Sequence, residues 1–155
     1  MRCVRSISAL SFALALCLLN AAFECRVEAR TIPAITGQIG SGCIGWYNDL
    51  AIYNNGSGNC TTHIPLAIEN GTGAYHDISV FGISYTNTGN VQCRAQVLTS
   101  GGTLYNGSWY GLPTASTNTS FTIPSVYVGA NDAVAIQCSL GTSSSGYIYT
   151  ISYTE

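Results

Sequence analysis

After residue 30 the apolar positions never settle into a helical period. Short runs rich in Ile, Val, Tyr and Thr alternate with clusters of Gly, Asn and Ser, the pattern of strands divided by turns. Strands are predicted at 43–47, 50–54, 59–64, 78–86, 91–98, 103–110, 120–123, 133–140 and 147–154, with another at 31–36 that Pro33 interrupts. The turns are well marked: Asn55-Gly56, Asn70-Gly71, Gly89-Asn90, Gly101-Gly102, Asn131-Asp132 and the run from Ser143 to Gly146. Eight or nine short strands at this spacing predict an all-β chain, an antiparallel β-sandwich of jelly-roll or Ig-like type.

Alternation assigns faces within two of these strands. Val91, Cys93, Ala95 and Val97 share one side; Gln92, Arg94, Gln96 and Leu98 share the other. In 133–140 the apolar side holds Val134, Ile136, Cys138 and Leu140. Two cysteines therefore fall on apolar faces, since side chains two apart in a strand point the same way. Val91-Gln92-Cys93 and Ile136-Gln137-Cys138 also echo each other, a faint sign of internal duplication.

The first thirty residues have a different character. Arg2 and Arg5 precede an apolar run from Ile7 to Phe23, the layout of a signal peptide. A cut after Ala22 leaves five cysteines in the remaining chain. A cut after Ala29, with small residues Val27 and Ala29 at the −3 and −1 sites, leaves the even set Cys43, Cys60, Cys93 and Cys138. The expected organisation is thus a signal peptide over 1–29 and one β-sandwich domain over 30–155, secreted or periplasmic, with no stable membrane anchor. An oxidising compartment favours disulfides over zinc, and the gaps of 16, 32 and 44 residues between these cysteines contain no short metal-binding knuckle. Four cysteines allow three connectivities; the favoured one is Cys43–Cys60 with Cys93–Cys138.

Charge narrows the partners. Beyond Ala29 the chain has no lysine, and Arg30 and Arg94 stand against Asp49, Glu69, Asp77, Asp132 and Glu155, a net charge of −3. No basic patch exists to neutralise phosphates, which excludes nucleic acid and anionic membrane surfaces as expected partners. Acid–base chemistry has little material. His63 and His76 are the two histidines, and no G-x-S-x-G elbow accompanies them. Asp132 sits in a turn, where its carboxylate serves the backbone. No catalytic residue, metal ligand or cofactor is assigned. Five N-x-S/T triplets, at Asn55, Asn59, Asn70, Asn106 and Asn118, exceed chance too little to argue for glycosylation.

Aromatics are the remaining candidates. Ten tyrosines, Trp46 and Trp109 all follow the leader. Tyr147, Tyr149 and Tyr153 are expected to share one strand face with Ile151, and Tyr105 to share a face with Trp109. Aromatic strips of this kind stack on sugar rings through an apolar body and a polar tip, so these five are the candidate ligand-binding residues.

Two resemblances add to this. Gly42-Cys43, the run Asn59-Cys60-Thr61-Thr62-His63-Ile64-Pro65, Val91-Gln92-Cys93, the run Ala135-Ile136-Gln137-Cys138-Ser139-Leu140 and the closing Ile151-Ser152-Tyr153-Thr154-Glu155 form a layout that resembles small exported, uncharacterised bacterial proteins. That resemblance implies a β-sandwich with two disulfides and no assigned activity. Gly141 and Tyr153, with Tyr147, Tyr149 and Ile151 alternating between them, are similar to the final strand of chaperone–usher pilin subunits. The segment Ile35-Thr36-Gly37-Gln38-Ile39 then stands as a donor strand, which implies polymerisation by strand addition. The expectation is a non-enzymatic exported module that binds carbohydrate or an extracellular or periplasmic protein. The alternatives are a pilin-like polymerising subunit and a small secreted hydrolase using His63 or His76.

Overall fold

The computed structural model describes residues 29–34, 38–39, 45–48, 51–54, 56–68, 72–85, 90–115, 117–142 and 146–154. Residues 1–28, Cys43, Asp49, Glu69, Glu155 and the serines at 143–145 lie outside the described residues. Twelve strands are described: β1 (Ala29–Pro33), β2 (Gln38–Ile39), β3 (Gly45–Asn48), β4 (Ala51–Asn54), β5 (Cys60–Leu66), β6 (Ala74–Ser84), β7 (Val91–Leu98), β8 (Leu104–Asn106), β9 (Tyr110–Gly111), β10 (Thr119–Val128), β11 (Ala133–Leu140) and β12 (Gly146–Thr154).

They form two antiparallel six-stranded sheets. Sheet A runs β10-β6-β12-β4-β3, with β1 beside β12; sheet B runs β2-β5-β11-β7-β8, with β9 beside β7. From β5 to β7, and again from β10 to β12, each successive strand crosses to the other sheet. That is jelly-roll wiring: the long strands β5, β6, β7, β10, β11 and β12 pair with one another across long stretches of sequence, and the local hairpins are β3–β4 and β7–β8.

The core follows from alternation. On β7 and β11 every second residue is buried, with Val91, Cys93, Ile136 and Cys138 wholly inaccessible. These meet Ile78, Val80, Ile148 and Ile151 from sheet A in one cluster. Fully burying a side chain of this size contributes about 1.5–3 kcal/mol. Cys93 and Cys138 are directly opposite in the β7–β11 register and are joined by a disulfide across a sequence separation of 45. Cys60, also buried, is disulfide-bonded too.

Several elements differ from the sequence expectation. The predicted strand at 103–110 is two short strands, because three residues (107–109) leave the sheet opposite Arg94 and Ala95. The one predicted at 120–123 continues to Val128. Pro124 does not end it, because a β-bulge between Ile123 and Val126 absorbs the missing donor, with Ser125 at φ 53°. His76 and Asp77 lie inside β6 rather than before it. The pilin-like arrangement gains no support. β1 pairs with β12 of its own chain, Arg30 opposite Tyr153, and Gln38–Ile39 pairs with its own β5. Among the described residues these backbone groups are paired within one molecule; Ile35, Thr36 and Gly37 of the expected donor strand lie outside the described residues.

Candidate functional site

The outer face of sheet A carries a cluster of aromatic rings. Tyr147 on β12 stands opposite Tyr53 on β4 and Ile83 on β6, and Tyr53 stands opposite Trp46 on β3. Directly opposed residues share a face, so the row of Ile83, Tyr147 and Tyr53 crosses three strands, about 10 Å at ordinary strand spacing. The Tyr53 and Tyr147 rings lie 5.0 Å apart between centroids, and Tyr85 meets Tyr147 edge-on at 5.8 Å. Tyr149 stacks near-parallel to Tyr147 at 6.4 Å and contacts Phe81 at 6.1 Å. Ile83 is 3% exposed yet stands outside the core cluster, as expected of an apolar side chain sealed by this outer layer. Phe81 and Tyr85 are exposed, and the other three rings are half-buried. Rings that pack on one another in this way are rigid and present an apolar surface with phenol tips.

The platform depends on a break in β12. The register slips between Ile148, opposite Gly82, and Thr150, opposite Phe81, so Tyr149 is an extra residue. Before the bulge the odd residues face outward. After it Ile151 and Tyr153 face inward. Tyr153 is therefore not a surface ligand: its ring is 2% exposed in the core, and its hydroxyl donates to the Ala67 carbonyl at 2.9 Å. A strict period-two reading through Tyr149 put it on the wrong face.

The remaining expected aromatics lie elsewhere. Tyr105, on β8, is exposed at the mouth of a cleft of about 530 Å³ between β10 and the β8–β9 edge. Ala95, Val97, Ile123 and Val126 line its floor, and Tyr127 flanks it from the other side. Trp109 lies over the outer face of sheet B, with the Arg94 guanidinium 4.6 Å from its ring centre. Of the five expected aromatics the structure brings together only Tyr147 and Tyr149. Tyr53, Phe81 and Tyr85 complete the cluster and were missed, because the pairing that makes them neighbours is not written in any local stretch.

Carbohydrate-binding modules share this fold. A family 35 carbohydrate-binding module from Clostridium thermocellum matches with a TM-score of 0.54 at 17% identity, over 81% of this chain and 98% of that one. A CBM36 module in complex with calcium and xylotriose matches at 0.53 and 19% identity, over 80% and 98%. The GH26-CBM35 β-(1,4)-mannanase of Podospora anserina matches at 0.51 and 16% identity over 83% of this chain, which spans 28% of that enzyme. No protein-family model and no curated protein matches the sequence. At these identities the likeness is one of fold. It supports the β-sandwich side of the sequence resemblances and gives none to the pilin side.

Titratable groups are scattered. His76 is buried on β6, and its Nδ1 donates to the Thr154 carbonyl at 2.6 Å. His63 is on β5, in the other sheet, opposite Gln137. Asp77 accepts the Ser125 backbone N–H at 2.8 Å. Asp132 accepts two, from Gly129 at 2.9 Å and Ser100 at 2.8 Å. These carboxylates hold turns and a bulge in place. Among the described residues no three His, Cys, Asp or Glu side chains group as metal ligands, and no helix is long and apolar enough to cross a membrane.

Proposed function

We propose that this protein is an exported, non-catalytic carbohydrate-binding module that takes a neutral saccharide on the outer face of sheet A. The observation that carries the reading is the packed ring cluster of Tyr53, Phe81, Tyr85, Tyr147 and Tyr149. A sugar ring offers flat C–H faces and peripheral hydroxyls; rings with apolar faces and phenol edges match both. The rings are already held by their neighbours, so little ordering is lost on binding. The fold shared with carbohydrate-binding modules supports the same ligand class. Export, and a Cys43–Cys60 link beside Cys93–Cys138, belong to this proposal.

Glycan-array screening followed by calorimetry tests it. The protein is expected to bind at least one neutral polysaccharide without cleaving it. Tyr147→Ala should weaken that binding tenfold or more, equivalent to about 1.4 kcal/mol, while Tyr105→Ala leaves it unchanged. Equal binding by Tyr147→Ala and wild type, or release of soluble sugar by the purified protein, overturns the reading.

A further inference from the structure

The opposite face of the sandwich holds an arginine that the tyrosine platform does not use. Beyond Ala29 the only cations are Arg30 and Arg94. Arg94 is half-buried on the outward side of β7, and no carboxylate among the described residues pairs with it. Its guanidinium is nevertheless fixed in place. One face is covered by Trp109 at 4.6 Å, and Nε donates to Gln137 Oε1 at 2.6 Å. Gln96 Nε2 donates to the same oxygen at 3.2 Å and to Asn106 Oδ1 at 2.8 Å.

Arg94 sets the polarity of this network. A guanidinium has donors only. Gln137 must therefore turn its oxygen to Arg94, Gln96 must bring its NH₂ to that oxygen, and Asn106 must accept from Gln96. The amide oxygens of Gln137 and Asn106 are consumed. Left without partners among the described residues are both Nη groups of Arg94 and the NH₂ groups of Gln137 and Asn106, all donors.

The loop that brings Trp109 here is also fixed. β8 and β9 both pair with β7, on either side of Arg94 and Ala95, and residues 107–109 arch over the gap. The Gly107 N–H donates to the Ala95 carbonyl at 2.8 Å, pinning the arch at its start. Trp109 stays 42% exposed, so its ring remains open to a ligand.

We propose that Arg94, Trp109, Gln137 and Asn106 form a second saccharide site, selective for a sugar bearing a carboxylate (a uronic acid). The two Nη groups form the fork that matches the two oxygens of a carboxylate. The amide NH₂ groups of Gln137 and Asn106 donate to hydroxyl or ring oxygens of the same residue, and Trp109 supplies the apolar face. The surrounding chain is net negative, so the attraction is local to Arg94 rather than long-range, and because Arg94 is only half-buried it weakens as salt is raised toward 1 M, where the Debye length falls to about 3 Å. This site lies on sheet B, and its ligand is distinguished from that of sheet A by charge.

The test uses the intact protein with trigalacturonic acid, its fully methyl-esterified form and neutral xylotriose, by calorimetry at low and high salt. The acid is expected to bind at least tenfold tighter than the ester, with the difference shrinking at high salt. Arg94→Gln should erase that difference. Arg94→Lys, which keeps charge without the fork, should restore only part of it. Tyr147→Ala should leave binding of the acid unchanged while weakening the neutral ligand, so the two sites fail separately. Equal affinity for acid and ester in the wild-type protein overturns the proposal irrespective of any variant's folding. So does an Arg94→Gln protein, folded by circular dichroism, that keeps the preference. Tighter binding of a short peptide through its terminal carboxylate than of trigalacturonic acid also overturns it, in favour of a protein partner.

Discussion

Gly82 sits where β12 breaks its own alternation. It faces Ile148 at the start of the bulge, and a Cβ built there would collide with the Tyr147 carbonyl oxygen and come within 2.9 Å of Leu112 Cδ1. The carbonyl is backbone and cannot swing away, so only glycine lets β6 approach the bulge this closely. Gly82→Ala is expected to cost about 1–3 kcal/mol, the usual range for overpacking a filled site, and to disturb the near-ultraviolet circular dichroism of the tyrosine cluster. Urea denaturation gives the first and the spectrum the second; a variant as stable as wild type would show that the bulge relaxes freely. Tyr149, the extra residue of that bulge, has a second signature. Burial pushes its hydroxyl pKa up from the ordinary tyrosine value, with charge repulsion from Tyr85 and then Tyr147 adding to it. The folded state therefore favours the neutral phenol. Its contribution to stability is complete below the unfolded value of about 10 and is lost as pH rises through the higher folded value. Tyr149→Phe should flatten the fall in stability across that alkaline window, measured by denaturant midpoints at successive pH values.

The strands read best where alternation is unbroken. β7 and β11 match their predicted bounds because every second residue along each is apolar and falls on the buried side. Their cysteines accordingly land on the core face, directly opposed. Replacing both Cys93 and Cys138 by alanine should lower stability by up to about 4 kcal/mol on the chain-entropy model. A reduction-insensitive unfolding midpoint would show that the β7–β11 ladder already does the bridge's work. Legibility failed at irregular points, each with a physical cause. Pro124 reads as a strand stop because it lacks a donor, but the bulge and the Asp77 bond to the Ser125 N–H carry the strand past it. Tyr153 reads as a surface residue because no sequence rule marks Tyr149 as an extra residue. The candidate site was half-legible for the same reason. Tyr147 and Tyr149 lie two apart on one strand, but Tyr53, Phe81 and Tyr85 reach them only through a register set by the jelly-roll crossings. The Arg94 network is similarly hidden, since Gln137 meets Arg94 across 43 residues of chain.

At the scale of the whole molecule, sheet A is completed by its first strand. β12 is bonded by β6 along one side; on the other, β4 pairs with Tyr147 and Ile148, and β1 pairs with Thr150 to Thr154. Without β1, the second half of β12 presents unpaired backbone donors and acceptors next to Tyr153, whose ring fills the core and whose hydroxyl reaches Ala67 beyond the end of β5. A bare central strand of this kind is a template for pairing with another copy. The cleavage after Ala29 expected from the sequence would keep the residues from Arg30 to Pro33 and so remove only the outermost of the five pairs. Deleting Arg30–Pro33 as well should lower the thermal midpoint and produce concentration-dependent dimers in size-exclusion chromatography, while the tyrosine platform, which borders β4 rather than β1, keeps its neutral-glycan binding in whatever fraction stays folded. A deletion variant that remains monomeric at full stability would mean that β1 contributes nothing to sheet A beyond covering it.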